Sequence, residues 1–325
     1  MLTRRLALAA ALAVVLGPAR AQDRLHVIAS FSILGDFVKN VGGDRVEVGT
    51  LVSPNGNAHV YAPSPGDAKK VADAKLVVVN GLGFEGWLER LVKASGTKAP
   101  IVVATKGIKP LDRTGDHGHD HDHGRADPHA WQSVANAKIY VANIRDALIA
   151  ADPAGKDSYT ANAAAYLAKL DALEREVREV IAKIPADRHR VVTSHNAFGY
   201  FQDAYGINFT APQGVSTEAE ASAKDVAAII TQIKKEKAAA VFLENVTDPR
   251  LIQQIARETG AKVGGTLYSD ALTDAKGDAP TYIDLIRHNL RQLASALVSW
   301  GGVELGRRTA ASWPDLFRPS TSLIF

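Results

Sequence analysis

No cysteine occurs among the 325 residues, and methionine occurs once. The missing cysteine excludes a disulfide framework and a thiol that could carry a lipid anchor behind an export signal. Beyond the first 25 residues no apolar run is long enough to cross a bilayer, which takes about twenty residues, so the rest of the chain is expected to be soluble. Nor is there a Lys/Arg block with interleaved aromatics. The formal charge of +3 is small and evenly spread, which argues against a nucleic-acid partner. What is present, 46% hydrophobic and 22% charged residues, suits a globular protein with one large or two modest cores.

The opening stretch MLTRRLALAAALAVVLGPARAQDRL stands apart from that composition. Arg4 and Arg5 precede a short apolar segment, Leu6 to Leu16, and Ala19-Arg20-Ala21 forms an A-x-A cleavage site. Residues 1–21 are therefore expected to be a signal peptide. The mature chain then starts near Gln22 and works as an untethered protein in a bacterial periplasm. The Arg4-Arg5 pair also permits a twin-arginine route.

Downstream, β-branched runs alternate with helix-like segments. Residues 25–31, 45–52, 74–80 and 99–105 read as strands, with helices over 33–42, 64–73 and 84–96 between them. Ser64-Pro65 has the form of an N-cap followed by a first-turn proline. The alternation returns after residue 186. Strands are expected at 188–195, 238–244 and 261–269, and helices at 222–237 and 248–260, the last with Asp248 as cap, Pro249 in its first turn and Gly260 at its end. Alternating βα units imply parallel sheets, so the fold class is α/β with two lobes.

Between the lobes, Tyr159, Ala163, Tyr166, Leu170, Leu173, Val177, Val180 and Ile184 recur at steps of four and three. That is one apolar stripe along a continuous helix. The expected organisation is an N-terminal α/β lobe over 22–153, a connecting helix over 154–184 and a C-terminal α/β lobe over 185–325. A helix of that length is a rod of about 45 Å. It resists bending, so the lobes are not expected to close through a wide hinge.

Ligands in open α/β sheets sit beyond the carboxyl ends of the strands. His59 follows the strand ending at Val52, His129 lies in DPHAW before a helical run, His195 ends RVVTSH, and Asp270 ends GGTLYSD. Singly, His59 reads equally as a loop histidine and Asp270 as a cap. Jointly, spaced by about 65 to 75 positions with two in each lobe, they form a candidate four-coordinate site. Three imidazoles and one carboxylate suit Zn²⁺, whereas a Mn²⁺ site leans further towards oxygen.

NGNAHVYAPSP, NGLGFEGWLERL, DPHAWQS, SHNAFGYF and LYSDAL…TYIDLIRHN resemble, in order and over about residues 25–300, the signature segments of the zinc- and manganese-binding substrate-binding proteins of ABC transporters. The resemblance implies two Rossmann-like lobes joined by one long rigid helix, with the metal buried between them. It places the ligands at His59, His129, His195 and Asp270. Manganese-preferring members carry Glu where this chain has His195, which favours zinc. The family often has Asp-Pro before the first ligand, and this chain has Asn57-Ala58. The resemblance also implies that Glu244, at the end of AAAVFLE, orients a ligand histidine; the alternative is a solvated strand-end carboxylate.

Half of the ten histidines fall within residues 117–129. His117, His119, His121 and His123 alternate with Gly and Asp, with no apolar residue to anchor them, and a loop over 114–126 is expected. Such imidazoles can bind Zn²⁺ only by giving up chain freedom, so they form an accessory site weaker than a preformed cage, or a solvated loop with no role. His/Asp-rich loops in the same place occur in zinc-selective members of the family, which again favours zinc.

The function expected is a periplasmic zinc-binding protein that delivers Zn²⁺ to an ABC permease in the inner membrane, with Mn²⁺ as the alternative cargo. It is expected to act as a monomer, and a periplasmic zinc chaperone is a conceivable loading partner. A zinc hydrolase is the competing class, with Asp270 or Glu244 recast as the base. No H-E-x-x-H cluster supports it, and four ligands leave no position for water, so the chain is not expected to be an enzyme.

Overall fold

A computed structural model describes residues 24–112, 126–236 and 238–298. The expected signal peptide and the four loop histidines at 117, 119, 121 and 123 lie outside these residues. In the first lobe, β1 (Leu25–Phe31), α1 (Ser32–Gly42), β2 (Val46–Val52), α2 (Pro65–Asp73), β3 (Leu76–Val79), α3 (Leu88–Ser95) and β4 (Ile101–Val103) build a parallel sheet of order β2-β1-β3-β4. The whole of β3, LVVV, is buried, as expected for a central parallel strand covered on both faces.

Next come α4 (Val134–Ala151) and α5 (Lys156–Ile181), and then the second lobe. That lobe comprises β5 (Arg190–Val192), α6 (Gly199–Tyr205), β6 (Asn208–Thr210), α7 (Ala223–Glu236), β7 (Ala240–Glu244), α8 (Pro249–Thr259) and β8 (Val263–Leu267), followed by α9 (Tyr282–Leu297). Its sheet order, β6-β5-β7-β8, repeats the first lobe's topology. The chain thus forms two parallel-sheet α/β lobes with a long helix between them.

Local signals set several helix ends. Ser64 accepts from the Asp67 amide while Asp67 accepts from the Ser64 amide, a reciprocal capping box ahead of α2. Asp248 caps α8 by accepting from the Arg250 amide, and Gly260 ends that helix at φ 72°, a left-handed conformation glycine adopts freely.

The stripe on α5 is buried from Tyr159 through Val180 and packs on α1, α4 and α9. The helix is shorter at both ends than the expected 154–184. Pro153 opens a 3-10 turn ahead of it, and Pro185 cannot continue it, so Ile184 is buried just past its last turn. β1, β2 and β7 end where expected, whereas β5 and β8 end three and two residues early, and His195 and Asp270 stand past their ends. The three-residue β6 is too short to show a period of two, and the sequence reading did not place it.

One large core runs through the first lobe, the helices α4, α5 and α9, and the facing side of the second lobe. A small separate cluster of Val192, Ile229, Ile233, Val241, Ile252 and Ile255 lies between the second sheet and α7 and α8. The lobes are therefore halves of one packed body more than two beads on a linker.

Candidate metal centre

The loop after β2 carries His59, and His129 immediately precedes a 3-10 turn (Ala130–Gln132) ahead of α4. His195 stands three residues past β5, and Asp270 three past β8. Asn80, at the end of β3, fixes the His129 turn. Its side-chain amide donates to the Pro128 carbonyl at 2.9 Å, and its oxygen accepts from the Tyr140 hydroxyl at 2.6 Å. Across the cleft, Trp131 Nε1 and Gln132 Nε2 both donate to the Ser269 carbonyl, at 2.9 and 2.8 Å, which ties the His129 segment to the residue before Asp270.

These elements bring all four side chains together. One ligand-type atom from each of His59, His129, His195 and Asp270 lies within 4.8 Å of all the others, and all four residues are buried. Asp270 Oδ2 stands 3.1 Å from His195 Nε2 and 3.4 Å from His59 Nε2, and Oδ1 stands 3.5 Å from His129 Nε2. The His59 and His129 Nε2 atoms are 3.3 Å apart. Four atoms around a tetrahedral zinc, with bonds of about 2.05 Å, stand about 3.3 Å from one another. The observed separations lie near that figure, and no pair of the four ligand-type atoms exceeds 4.8 Å, so the four side chains could hold an ion.

Asp270 is fully buried, and beyond the imidazoles that face it neither of its oxygens has a hydrogen-bond donor. A buried carboxylate with so few donors is costly. Three converging imidazole nitrogens and an unsatisfied carboxylate are complementary to a cation.

Behind this layer stand two further carboxylates. Asp127 Oδ1 lies 2.7 Å from His129 Nδ1 and also accepts from the His129 amide at 2.9 Å. Glu244 Oε2 lies 2.6 Å from His195 Nδ1, a close charge contact whose angle falls outside hydrogen bonding, while its Oε1 accepts from the Ser194 and His195 amides at 2.7 and 2.9 Å. Glu244 is therefore buried against His195 and is not a solvated strand-end carboxylate. Gly199, which opens α6, approaches Asp127 so closely that a Cβ there would strike its carboxylate.

Burial pulls the His59 imidazole down to about 4, against the pull of Asp270. It acts in the same direction on His195, but Glu244 and Asp270 outweigh it and hold that imidazole well above its ordinary value. Burial raises Asp270, yet the His195 and His129 imidazoles overcome it and leave the carboxyl well below the usual range. Phe84 and Trp131 wall the site. Phe84 meets His59 edge-on at 4.8 Å between centroids, and Trp131 meets His129 at 5.3 Å.

Asp127, Gln132 and Ser269 were not singled out from the sequence. Asp127 carried a signal, an acidic residue two positions before a candidate ligand. Gln132 and Ser269 carried none, because their contact spans 137 positions.

The family described as zinc-uptake complex component A, periplasmic, matches residues 27–296. The chain belongs to this family. Its members are metal-binding substrate-binding proteins of ABC transporters, receptors and not enzymes. Relatives include the iron-binding protein YfeA of Yersinia pestis, 36% identical over 85% of this chain and 88% of its own length. The manganese-binding lipoprotein MntA of Halalkalibacterium halodurans is 34% identical over 85% of this chain and 89% of its own. Among solved structures, the manganese-bound periplasmic metal binding protein of Candidatus Liberibacter asiaticus superposes with a TM-score of 0.75 at 32% identity, covering 84% of this chain and all of its own. The periplasmic zinc binding protein TroA of Treponema pallidum gives 0.78 at 28%, covering 85% and all of its own.

Proposed function

We propose that this member of the zinc-uptake component family is a periplasmic zinc receptor that hands Zn²⁺ to the permease of an ABC transporter, with His59, His129, His195 and Asp270 as the ligands. The convergence of these four buried side chains, with one ligand-type atom from each within 4.8 Å of the others, carries the reading. The donor set, three nitrogens and one carboxylate, supports zinc. So do the family's description and the likeness to TroA. Glu244 and Asp127 orient His195 and His129.

A manganese receptor is the second reading. Asp270 turns both oxygens to the centre, Oδ2 towards His59 and His195 and Oδ1 towards His129, which a metal preferring oxygen could exploit. Relatives named for manganese favour it too. Competitive titration of the metal-stripped mature protein with Zn²⁺ and Mn²⁺, with His195→Ala alongside, separates the two. Zinc displacing manganese at one equivalent, and loss of tight binding in His195→Ala, is the expected result. Preference for manganese would reverse the assignment of cargo.

The receptor works as a soluble monomer after cleavage of residues 1–21. Several relatives are named lipoproteins, whereas this chain has no cysteine to take a lipid. Among the described residues no helix is long and apolar enough to cross a membrane. His117, His119, His121 and His123 act as an accessory capture loop, fed by a periplasmic chaperone where one exists. Deleting residues 116–124 is expected to lower the total zinc bound while the single tight site persists; loss of tight binding would put the loop inside the main site.

A further inference from the structure

We propose that Asn57 is a positioning residue that ties the His59 side of the metal centre to the opposite lobe and so slows release of the ion. The inference rests on reading the four converging side chains as cargo ligands. Two of the three imidazoles are braced from behind by a carboxylate of their own lobe, His129 by Asp127 and His195 by Glu244. Among the described residues no carboxylate stands on His59 Nδ1. The support of His59 runs instead through its backbone, whose amide donates to Asn57 Oδ1 at 3.0 Å.

Asn57 in turn reaches across the cleft. Its Nδ2 donates to Thr217 Oγ1 at 2.8 Å and to the Val246 carbonyl at 3.1 Å, and the Thr217 hydroxyl stands 3.2 Å from Asn57 Oδ1. Val246 lies two residues past Glu244, so the bridge lands on the loop that follows the strand carrying the brace of His195. One side chain thus connects a ligand of the first lobe to the support of a ligand in the second. Only an amide serves all these contacts. It accepts from His59 and donates to Val246, whereas a carboxylate would present an unprotonated oxygen to that carbonyl. A bond within the first lobe, from Trp87 Nε1 to the Ala58 carbonyl at 2.8 Å, does not depend on the cleft. The same loop also crosses the cleft through the Asn55 amide, which donates to the Leu272 carbonyl at 2.8 Å, but the Asn57 bridge is the contact joined directly to the His59 amide.

The test uses the mature protein loaded with one Zn²⁺ and mixed with excess chelator, for wild type, Asn57→Asp and Thr217→Val. Asn57→Asp keeps the acceptor for the His59 amide and loses the donor. It should release zinc about tenfold faster, the worth of one bridging hydrogen bond, while the association rate changes by much less. Thr217→Val should give a smaller rise, since Val246 still accepts the amide. A rate for Asn57→Asp equal to wild type overturns the proposal, as does an unchanged rate for Thr217→Val if Asn57→Asp does not fold. A wild-type chain that holds no zinc would instead remove the reading of the four ligands.

Discussion

The Nδ1 side of an imidazole decides how well its Nε2 serves a metal. Glu244 holds that side of His195 from 2.6 Å while its other oxygen pins two amides, so it fixes both the ring and the loop. Glu244→Gln keeps an acceptor for the amides but sets an amide nitrogen against Nδ1. Zinc affinity should fall by about 10- to 100-fold with little change in fold, measured by competition with a chromophoric chelator. Protonation belongs to this scale as well. Burial lowers His59 to about 4, so protons do not compete there near neutrality. On His195 the Glu244 and Asp270 carboxylates overcome burial, so the metal-free site carries a proton on that imidazole. A proton on a ligand opposes the metal, and affinity should therefore climb with pH through neutrality. Binding at pH 7 should release about one proton, read by calorimetry in two buffers of different protonation enthalpy. Binding without proton release would contradict it.

Helices α1, α5 and α9 meet at Asp36. Its carboxylate accepts from the Tyr282 amide at the start of α9, from the Tyr166 hydroxyl on α5 at 3.3 Å and from Asn40 on its own helix. Burial is the largest influence and raises its pKa from 3.8 to about 6, against those hydrogen bonds. A carboxyl raised on folding binds its proton more tightly when folded. Its ionisation therefore costs stability above about 6, and the cost is relieved as pH falls from about 6 towards 3.8. Between pH 7 and pH 5 this one group should add about 1 kcal/mol of stability to the metal-free protein. The substitution Asp36→Asn keeps an acceptor for the Tyr282 amide, and that increment should vanish from its urea unfolding curves. An identical pH response in both proteins would show that the junction does not titrate there.

At the scale of the whole molecule, one core passes through both lobes and α5 stiffens the passage between them. Contacts across the cleft are short and polar, from Trp131 and Gln132 to Ser269, from the Leu272 amide to Ser32 Oγ, and from Asn57 to Thr217. Such an arrangement permits small movements of the loops and resists a wide hinge. X-ray scattering of metal-free and zinc-loaded protein should therefore give nearly superimposable profiles. A large fall in radius of gyration on binding would contradict a rigid α5.

The sequence by itself determined the α/β alternation, the stripe of α5, the caps of α2 and α8, and the placing of His59, His129, His195 and Asp270 near the ends of elements. Those are local properties, written in periods of two and 3.6 and in capping residues adjacent in the chain. It also separated His129, which lies in DPHAW before a helical run, from the four loop histidines, which no apolar residue anchors. The tertiary structure alone decided that the four side chains converge, that Asp127 backs His129, and that Asn57 crosses to Thr217, 160 positions away. It also decided that His59 and His195, the same residue type at the same centre, hold protons so differently. The reason is physical. Convergence, burial and the sum of neighbouring charges depend on how two sheets pack against three helices, and no window of sequence contains that sum.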